Sequence, residues 1–254
     1  MNPLHRFFIP PDALAPNRVI LTGTVVHQLR HVLRLRPGDH IIVLDDSGWE
    51  HEVELTEVSR ERAEGAVLVR RLVETEPQIQ LSLYQSLLKG ERFEWALQKG
   101  TELGVMEFVP TLAARCVVQH LDLNAHRLER WTRIVQEAAE QARRGRLPRL
   151  QSAMLLPEAC KRMVRAGPAL MLHEGARTSL RQVLHELDRL DRPPLNLSLL
   201  VGPEGGFTEQ EATLAERYGV RLVGLGPRIL RAETAGLVAA AAILYHLGEL
   251  ESPG

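Results

Sequence analysis

The chain is predicted to be an α/β protein in which a small β-barrel-like module precedes a larger domain of alternating strands and helices. Three observations predict it. Up to about residue 73 the apolar residues fall in short β-rich runs divided by hairpin-type turns. "ETEPQIQ", Glu74–Gln80, is a polar linker interrupted by proline. Beyond it strand-like and helix-like stretches alternate, the pattern of a mostly parallel sheet covered on both faces. The division is placed at residues 1–73 and 74–254.

In the first module "TVVHQLRHVLRL" reads as one or two helical turns ending at Pro37-Gly38. Three strands follow: "DHIIVLDD", "WEHEVELTEVS" and "AEGAVLVRRLV". Apolar and charged side chains alternate through "EHEVELTEV", as a half-exposed strand requires. Asp46-Ser47-Gly48 and Glu61–Gly65 supply the turns. In the second domain "IQLSLYQSLL" is a strand, and Gly90-Glu91 opens the helix "RFEWALQKGTELG". "MEFVPTLA" is the next strand, and a long helix runs from about Ala125 to Arg144. Its stripe of Leu128, Trp131, Val135, Ala138 and Ala142 faces a core. "PALMLHE", "LSLLVG" and "VRLVGL" are three further strands, each followed by a helix, the last helix reaching about Leu247. In such sheets ligands sit beyond the carboxyl ends of the strands.

Composition excludes several classes. Hydrophobic content of 44% and charged content of 25% over 254 residues suit a chain that buries a substantial core. No run approaches the roughly 18 apolar residues of a membrane span. The proline-broken start "MNPLHRFFIPPDALAP" is not a secretory signal, so a cytoplasmic protein without membrane partners is expected. Cys116 and Cys160 are far apart and lack metal-ligand spacing, so reduced thiols and no metal site are expected. A net charge of −1 argues against indiscriminate coating of nucleic acid. Locally the balance differs. Arginines 6, 18, 30, 34 and 36 face a single acid, Asp12, in the first 38 residues, and 126–149 holds seven arginines against three glutamates. Such patches suit a selective polyanion contact, or balance acidic neighbours in the fold.

Three strand-end loops are candidate binding elements. Gly202-Pro203-Glu204-Gly205-Gly206 leads into Thr208 and Glu211, a capping box that starts a helix. Glycines let the backbone approach a ligand, yet no lysine follows, and Glu204 would repel phosphate. A cationic or hydroxyl-rich ligand fits better; a plain tight turn is the alternative. The second loop, Val223–Gly236, resembles a dinucleotide fingerprint only weakly, because the third glycine is missing and Pro227 removes an amide donor. Arg228, Arg231 and Glu233 cluster there, before a helix, "TAGLVAAAAILYHL", that is apolar on nearly every side. They serve either binding or capping of the helix, and the helix itself must be covered, plausibly by a second subunit. The third loop follows His173-Glu174-Gly175 and says little alone. On the long helix, Arg133–Glu137 and Glu140–Arg144 have the spacing of solvated i,i+4 pairs.

"KGERFEWALQKGTELGV", "RWTRIVQEAAEQARRGRLP", "LLVGPEGGFTEQE" and "LGPRILRAETA", in this order and spacing, resemble the RsmE family of small-subunit ribosomal RNA uridine-N3 methyltransferases, of the SPOUT class. The resemblance runs from "HRFF" through "RHVLRLRPGD" to the last helix. It implies a PUA-like N-terminal RNA-binding β domain and a C-terminal SPOUT-type α/β domain with a trefoil knot. It implies S-adenosyl-L-methionine as methyl donor, held by Leu172, His173, Glu174 and Gly175, by Gly202–Gly206, and by Leu225, Gly226, Pro227, Ile229, Leu230, Arg231 and Thr234. Within that expectation Glu204 accepts from ribose hydroxyls or sits near the sulfonium. The reaction is attack by the uracil imide nitrogen on the methyl group, so a proton must be removed and the flanking oxygens stabilised. Arg231 is the expected oxyanion stabiliser, and Glu140 and Glu233 are candidate bases. The partner implied is 16S ribosomal RNA in the small subunit, contacted by Arg6, Arg30, His31, Arg34 and Arg36, with Lys89, Arg92, Lys99, Arg143 and Arg144 nearer the target base. With only 4% aromatic residues, phosphate and shape reading should outweigh base stacking. A homodimer through the C-terminal helix is expected. The rival expectation is a non-catalytic RNA-binding assembly factor of the same fold.

Overall fold

A computed structural model describes residues 4–117, 124–189 and 196–251. The chain forms two compact units, Met1–Glu76 with Ala139–Leu147, and Pro77–Ala138 with Pro148–Gly254.

The N-terminal unit is built on β1 (Arg6–Phe8), β2 (Leu14–Ala15), β3 (Arg18–Thr22), β4 (His40–Leu44), β5 (Trp49–Val58) and β6 (Arg62–Leu72), in sheet order β1-β4-β5-β6-β3-β2. All pairs are antiparallel except β1 with β4. The alternation of β5 places His51, Val53 and Leu55 inside, against Val19, Leu21 and Ile41. Gly65 is required opposite this bulged stretch, because a Cβ there would lie 2.3 Å from Val53 Cγ1. Helix α1 (Gly23–His27) widens past its end, where Leu33 N–H reaches back to the Gln28 carbonyl at 2.9 Å, an i→i+5 bond. It buries Val26 and Leu29 and stops at Arg34, which has φ 57°.

The segment Ala139–Leu147 belongs to this unit through specific bonds. Glu140 Oε1 accepts the Phe8 N–H at 2.9 Å, and Ala139 packs with Phe8, Ile42 and Leu44. Glu76 accepts from the backbone of Gly145 and Arg146 and from the Arg144 guanidinium. Leu147 N–H donates to Asp46 Oδ1 at 2.6 Å.

The C-terminal unit has a seven-stranded, wholly parallel sheet. Its strands are β7 (Gln80–Ser86), β8 (Glu107–Leu112), β9 (Arg149–Leu150), β10 (Met154–Leu155), β11 (Ala169–Leu172), β12 (Asn196–Val201) and β13 (Arg221–Val223). The order is β10-β8-β7-β12-β11-β13, with β9 also on β8. Strands β11 and β12 are almost continuously apolar and buried, as strands covered on both faces must be. The helices are α2 (Arg92–Leu103), α3 (Ala125–Gln141), α4 (Leu156–Ala166), α5 (Leu180–Leu187), α6 (Glu209–Tyr218) and α7 (Ala232–His246). The chain lays down β7, β8 and β10 on one side, then returns so that β12 lies between β7 and β11. That reversal of strand order marks a binding crevice at the strands' carboxyl ends.

Candidate functional site

A cavity of about 690 Å³ opens there, lined by the ends of β11, β12 and β13, the loops after them and the first turn of α7. The volume is that of a pocket for a nucleoside-sized ligand. The three loops singled out in the sequence meet in it. Leu172, His173, Glu174 and Gly175, Gly202, Pro203, Glu204, Gly205 and Gly206, and Leu225, Gly226, Ile229, Leu230 and Arg231 all line the wall; Pro227 and Thr234 do not.

Backbone bonds set the loops. His173 N–H donates to the Val223 carbonyl at 3.0 Å, and Gly224 exchanges bonds with Thr178 and Leu180. The His173 loop is thereby stitched to the end of β13. Gly175 N–H donates to His173 Nδ1 at 3.1 Å, so the ring carries its proton on Nε2. In the glycine loop Gly206 N–H donates to the Pro203 carbonyl at 2.9 Å with φ 66°, a left-handed turn that suits glycine. Thr208 and Glu211 form the predicted capping box: Thr208 Oγ1 accepts the Glu211 N–H at 3.1 Å, and Glu211 Oε2 accepts the Thr208 N–H at 2.9 Å.

Arg115, which no spacing in the sequence marked, holds this loop from below. Its Nη1 donates to the Gly205 carbonyl at 2.8 Å, and a Cβ on Gly205 would lie 3.1 Å from Arg115 Cβ. Glu211 Oε1 accepts the Ala114 N–H at 2.7 Å, tying the same turn to the start of α6. Only the fold brings residues 115 and 205 together, so local pattern carries no signal for the pair.

Glu204 lines the cavity and is also tied outside its own loop. Its Oε1 accepts from Lys89 N–H at 3.0 Å and from Arg92 Nη1 at 3.0 Å, so it anchors the loop to the segment entering α2. Arg92, expected on RNA, lines the cavity and also faces Glu233, with Nε 3.7 Å from Oε1. Glu233 has a side chain only 12% exposed, and its Oε2 is buried without a hydrogen-bond partner. A buried carboxylate oxygen without a donor is costly, and the nearby Arg92 charge offsets part of that cost. Arg231 is exposed, caps α7 through its carbonyl, which accepts from Thr234 and Ala235, and lines the cavity. Charged side chains of both signs line the wall: Arg92, Arg115, Arg228 and Arg231 with Glu174, Glu204, Glu209 and Glu233.

The remaining candidates are placed as follows. Glu140 is in the N-terminal unit, bonded to Phe8. Arg30 is half-buried and His31, Arg34 and Arg36 are exposed on the turn after α1. Arg6 is turned inward: its side chain is 12% exposed, and Nη2 lies 2.7 Å from Glu50 Oε2 without hydrogen-bond alignment. Arg144 is buried and held by Glu76, a structural position rather than a solvent-facing one, whereas Arg143 beside it is exposed at φ 59°. Lys89 is exposed, and Lys99 pairs with Glu102 at 2.7 Å. Cys116 and Cys160 are free and buried, and burial pushes the Cys160 thiol up to about 11.

With this geometry in hand, comparison with known proteins is direct. Residues 74–244 match an RNA methyltransferase domain and residues 21–68 an RNA methyltransferase PUA domain. The ribosomal RNA small subunit methyltransferase E of Bacillus subtilis is 38% identical over 235 residues, covering 89% of each chain. The crystal structure of a ribosomal RNA small subunit methyltransferase E from Neisseria gonorrhoeae, bound to S-adenosyl methionine, superposes with TM-score 0.85 at 34% identity, over 95% of this chain and 97% of that one. A methyltransferase of Legionella pneumophila in complex with SAM superposes with TM-score 0.84 at 27% identity, over 96% and 98%. The chain belongs to the family of RNA methyltransferases that includes the ribosomal RNA small subunit methyltransferase E proteins.

Proposed function

We propose that this protein transfers a methyl group from S-adenosyl-L-methionine to N3 of a uridine in 16S ribosomal RNA of the small subunit. The observation that carries the reading is the convergence of three strand-end loops on one cavity whose wall holds charges of both signs. The methyl donor carries a sulfonium, an amine and a carboxylate together with hydroxyls and a purine, so this wall fits it. When bound, the donor supplies an electrophilic methyl group.

Leu172–Gly175, Gly202–Gly206, Leu225, Gly226, Ile229 and Leu230 hold the donor, with Arg115 keeping the glycine loop in place. The uracil imide must lose its proton as it attacks. Of the two candidate carboxylates Glu233 is the one assigned here, because it lines the cavity; Glu140 lies in the N-terminal unit with its Oε1 accepting the Phe8 N–H. Arg231 supplies a cation to the uracil carbonyl oxygens, an effect typically worth about 10²–10³ in rate. Arg34, Arg36 and Arg143 present exposed charge to the RNA backbone, and His31 an exposed imidazole.

Finer features belong to the same proposal. The domains divide at residues 73 and 74, consistent with matches that stop at 68 and resume at 74. After edge strand β13 the chain returns as α7 onto central strands β7 and β12, which supports a threaded, knotted terminus. Val238, Ala242 and Tyr245 form an exposed stripe on α7, which supports a homodimer through that helix. No helix among the described residues is long and apolar enough to cross a membrane. The protein is assigned to the cytoplasm, where ribosomal RNA is.

The test is methyl transfer from labelled S-adenosyl-L-methionine to small subunits lacking the modification, with the product mapped to uracil N3 by mass spectrometry. Donor binding without transfer would favour a non-catalytic assembly factor. Neither binding nor transfer would end the proposal.

A further inference from the structure

A second group of chemically competent side chains lies apart from the residues that line the cavity. His185 is in the last turn of α5, Asp188 follows that helix, and His246 is the last residue of α7. His246 Nε2 is 2.9 Å and 3.0 Å from the two Asp188 carboxylate oxygens, and His185 Nδ1 is 3.4 Å from Oδ2. One ligand atom from each of the three residues lies within 4.8 Å of the others, and the imidazoles meet edge to face at 5.3 Å.

We propose that His185, Asp188 and His246 form a binding site for a zinc-class divalent cation, joining the ends of α5 and α7. Zinc bonded at about 2.0–2.2 Å in tetrahedral geometry needs ligand atoms roughly 3.3 Å apart. The separations to Asp188 already bracket that value, so a cation replaces two imidazole–carboxylate hydrogen bonds with small shifts of the exposed His185 and Asp188 side chains and the half-buried His246. Two imidazoles and one carboxylate select zinc, nickel or cobalt over magnesium and calcium, which take oxygen ligands. Three protein ligands leave the fourth position to water.

One neighbour sharpens the proposal. Arg181 Nε donates to His185 Nε2 at 3.3 Å, which puts the ring proton on Nδ1, facing Asp188. To bind a cation through Nδ1, His185 must carry its proton on Nε2, directly opposite Arg181. The exposed Arg181 side chain then has to swing away. Removing that guanidinium should therefore strengthen cation binding, which a plain hydrogen-bonded cluster gives no reason to expect. The rival chelator is the exposed pair His27 and His31, one helical turn apart with ring centroids separated by 4.8 Å.

The test uses the full chain, stripped with chelator and titrated with zinc chloride by calorimetry, with a thermal melt in parallel. The wild type should take up zinc at this site and gain Tm. His246→Gln should weaken that uptake by more than about tenfold and abolish the Tm gain. Arg181→Gln should tighten it, and His27→Ala should leave it unchanged. Magnesium should have no effect. No zinc uptake by the wild type, equal affinity in His246→Gln, or loss of uptake in His27→Ala would overturn the assignment.

Discussion

The carboxylate of Glu76 and the guanidinium of Arg144 face each other across 2.9 Å, with side-chain exposures of 14% and 3%. The same carboxylate accepts the N–H groups of Gly145 and Arg146, so one side chain fixes the whole turn that follows α3. Removing the Glu76 carboxylate takes the acceptor from three donors at once, and leaving buried donors unsatisfied costs about 1–3 kcal/mol. Glu76→Ala should therefore destabilise the protein by about 3 kcal/mol in urea unfolding, and Glu76→Gln by less, since its amide oxygen still accepts from the backbone. Replacing both residues with methionine should be milder than Glu76→Ala alone. A double variant as unstable as the sum of the singles would show that the two side chains act independently.

His51 faces the core of the N-terminal unit, 6% exposed, with Nε2 unbonded. Burial, aided by the Arg70 charge and opposed by Asp45, pushes its pKa below the usual 6.5. The neutral ring is the form the fold prefers, so the unfolded chain binds the extra proton. The stabilisation is present above about pH 6.5 and is lost as pH falls below it, with a slope of at most about 1.4 kcal/mol per pH unit. His51→Gln should flatten the stability profile between about pH 6.5 and 5. An unchanged profile in urea melts would remove His51 as the cause.

Much of this architecture was legible because its signals are local. The alternation in β5, the capping box at Thr208 and the strand-then-glycine loops each occupy a few consecutive residues. Strands β1 and β3 were not legible because Arg6–Phe8 and Arg18–Thr22 are too short, at three and five residues, for an alternating pattern to show. Pairings over long separations escaped altogether. Arg144 lies 68 residues from Glu76, and Arg115 lies 90 from Gly205, so spacing offered Arg144 only Glu140 as a partner and passed over Arg115. Glu204 was identified as a wall residue, yet its hydrogen bonds with Lys89 and Arg92 depend on the approach of a segment more than a hundred residues away.

Arg115 should matter through the loop it supports. With its guanidinium gone, the Gly205 carbonyl loses its donor and the glycine loop is free to sample other conformations. Arg115→Ala should weaken S-adenosyl-L-methionine binding about tenfold, with lysine restoring part of it through one donor. Donor affinity equal to wild type, read by calorimetry, would show that the loop holds its shape unaided.

Arg231 offers a cleaner separation of chemistry from fold. Its carbonyl, not its side chain, caps α7, and its side chain is exposed at the cavity wall. Arg231→Ala therefore keeps the cap and the helix. Turnover should fall by about 10²–10³ while donor affinity and Tm stay close to wild type. A wild-type rate would take Arg231 out of the mechanism, and a rate loss matched by lost donor affinity would make it a binding group.

The last prediction concerns the outer face of α7. Val238 and Tyr245 are 43% and 74% exposed, and Ala242 lies between them at helical spacing. The opposite face buries Ala239, Ala240, Ile243 and Leu244 in the core. A helix whose solvent side is also apolar gains by covering that side, at roughly 25 cal/mol per Å² removed from water. If a second copy covers it, Tyr245→Glu places a charge in an apolar contact and should shift the protein to monomer in light scattering, without unfolding it. Glu233 lies in the first turn of the same helix, so loss of the dimer should also weaken donor binding or turnover if α7 is steadied by its partner. A Tyr245→Glu protein that scatters like the wild type would place the subunit contact elsewhere.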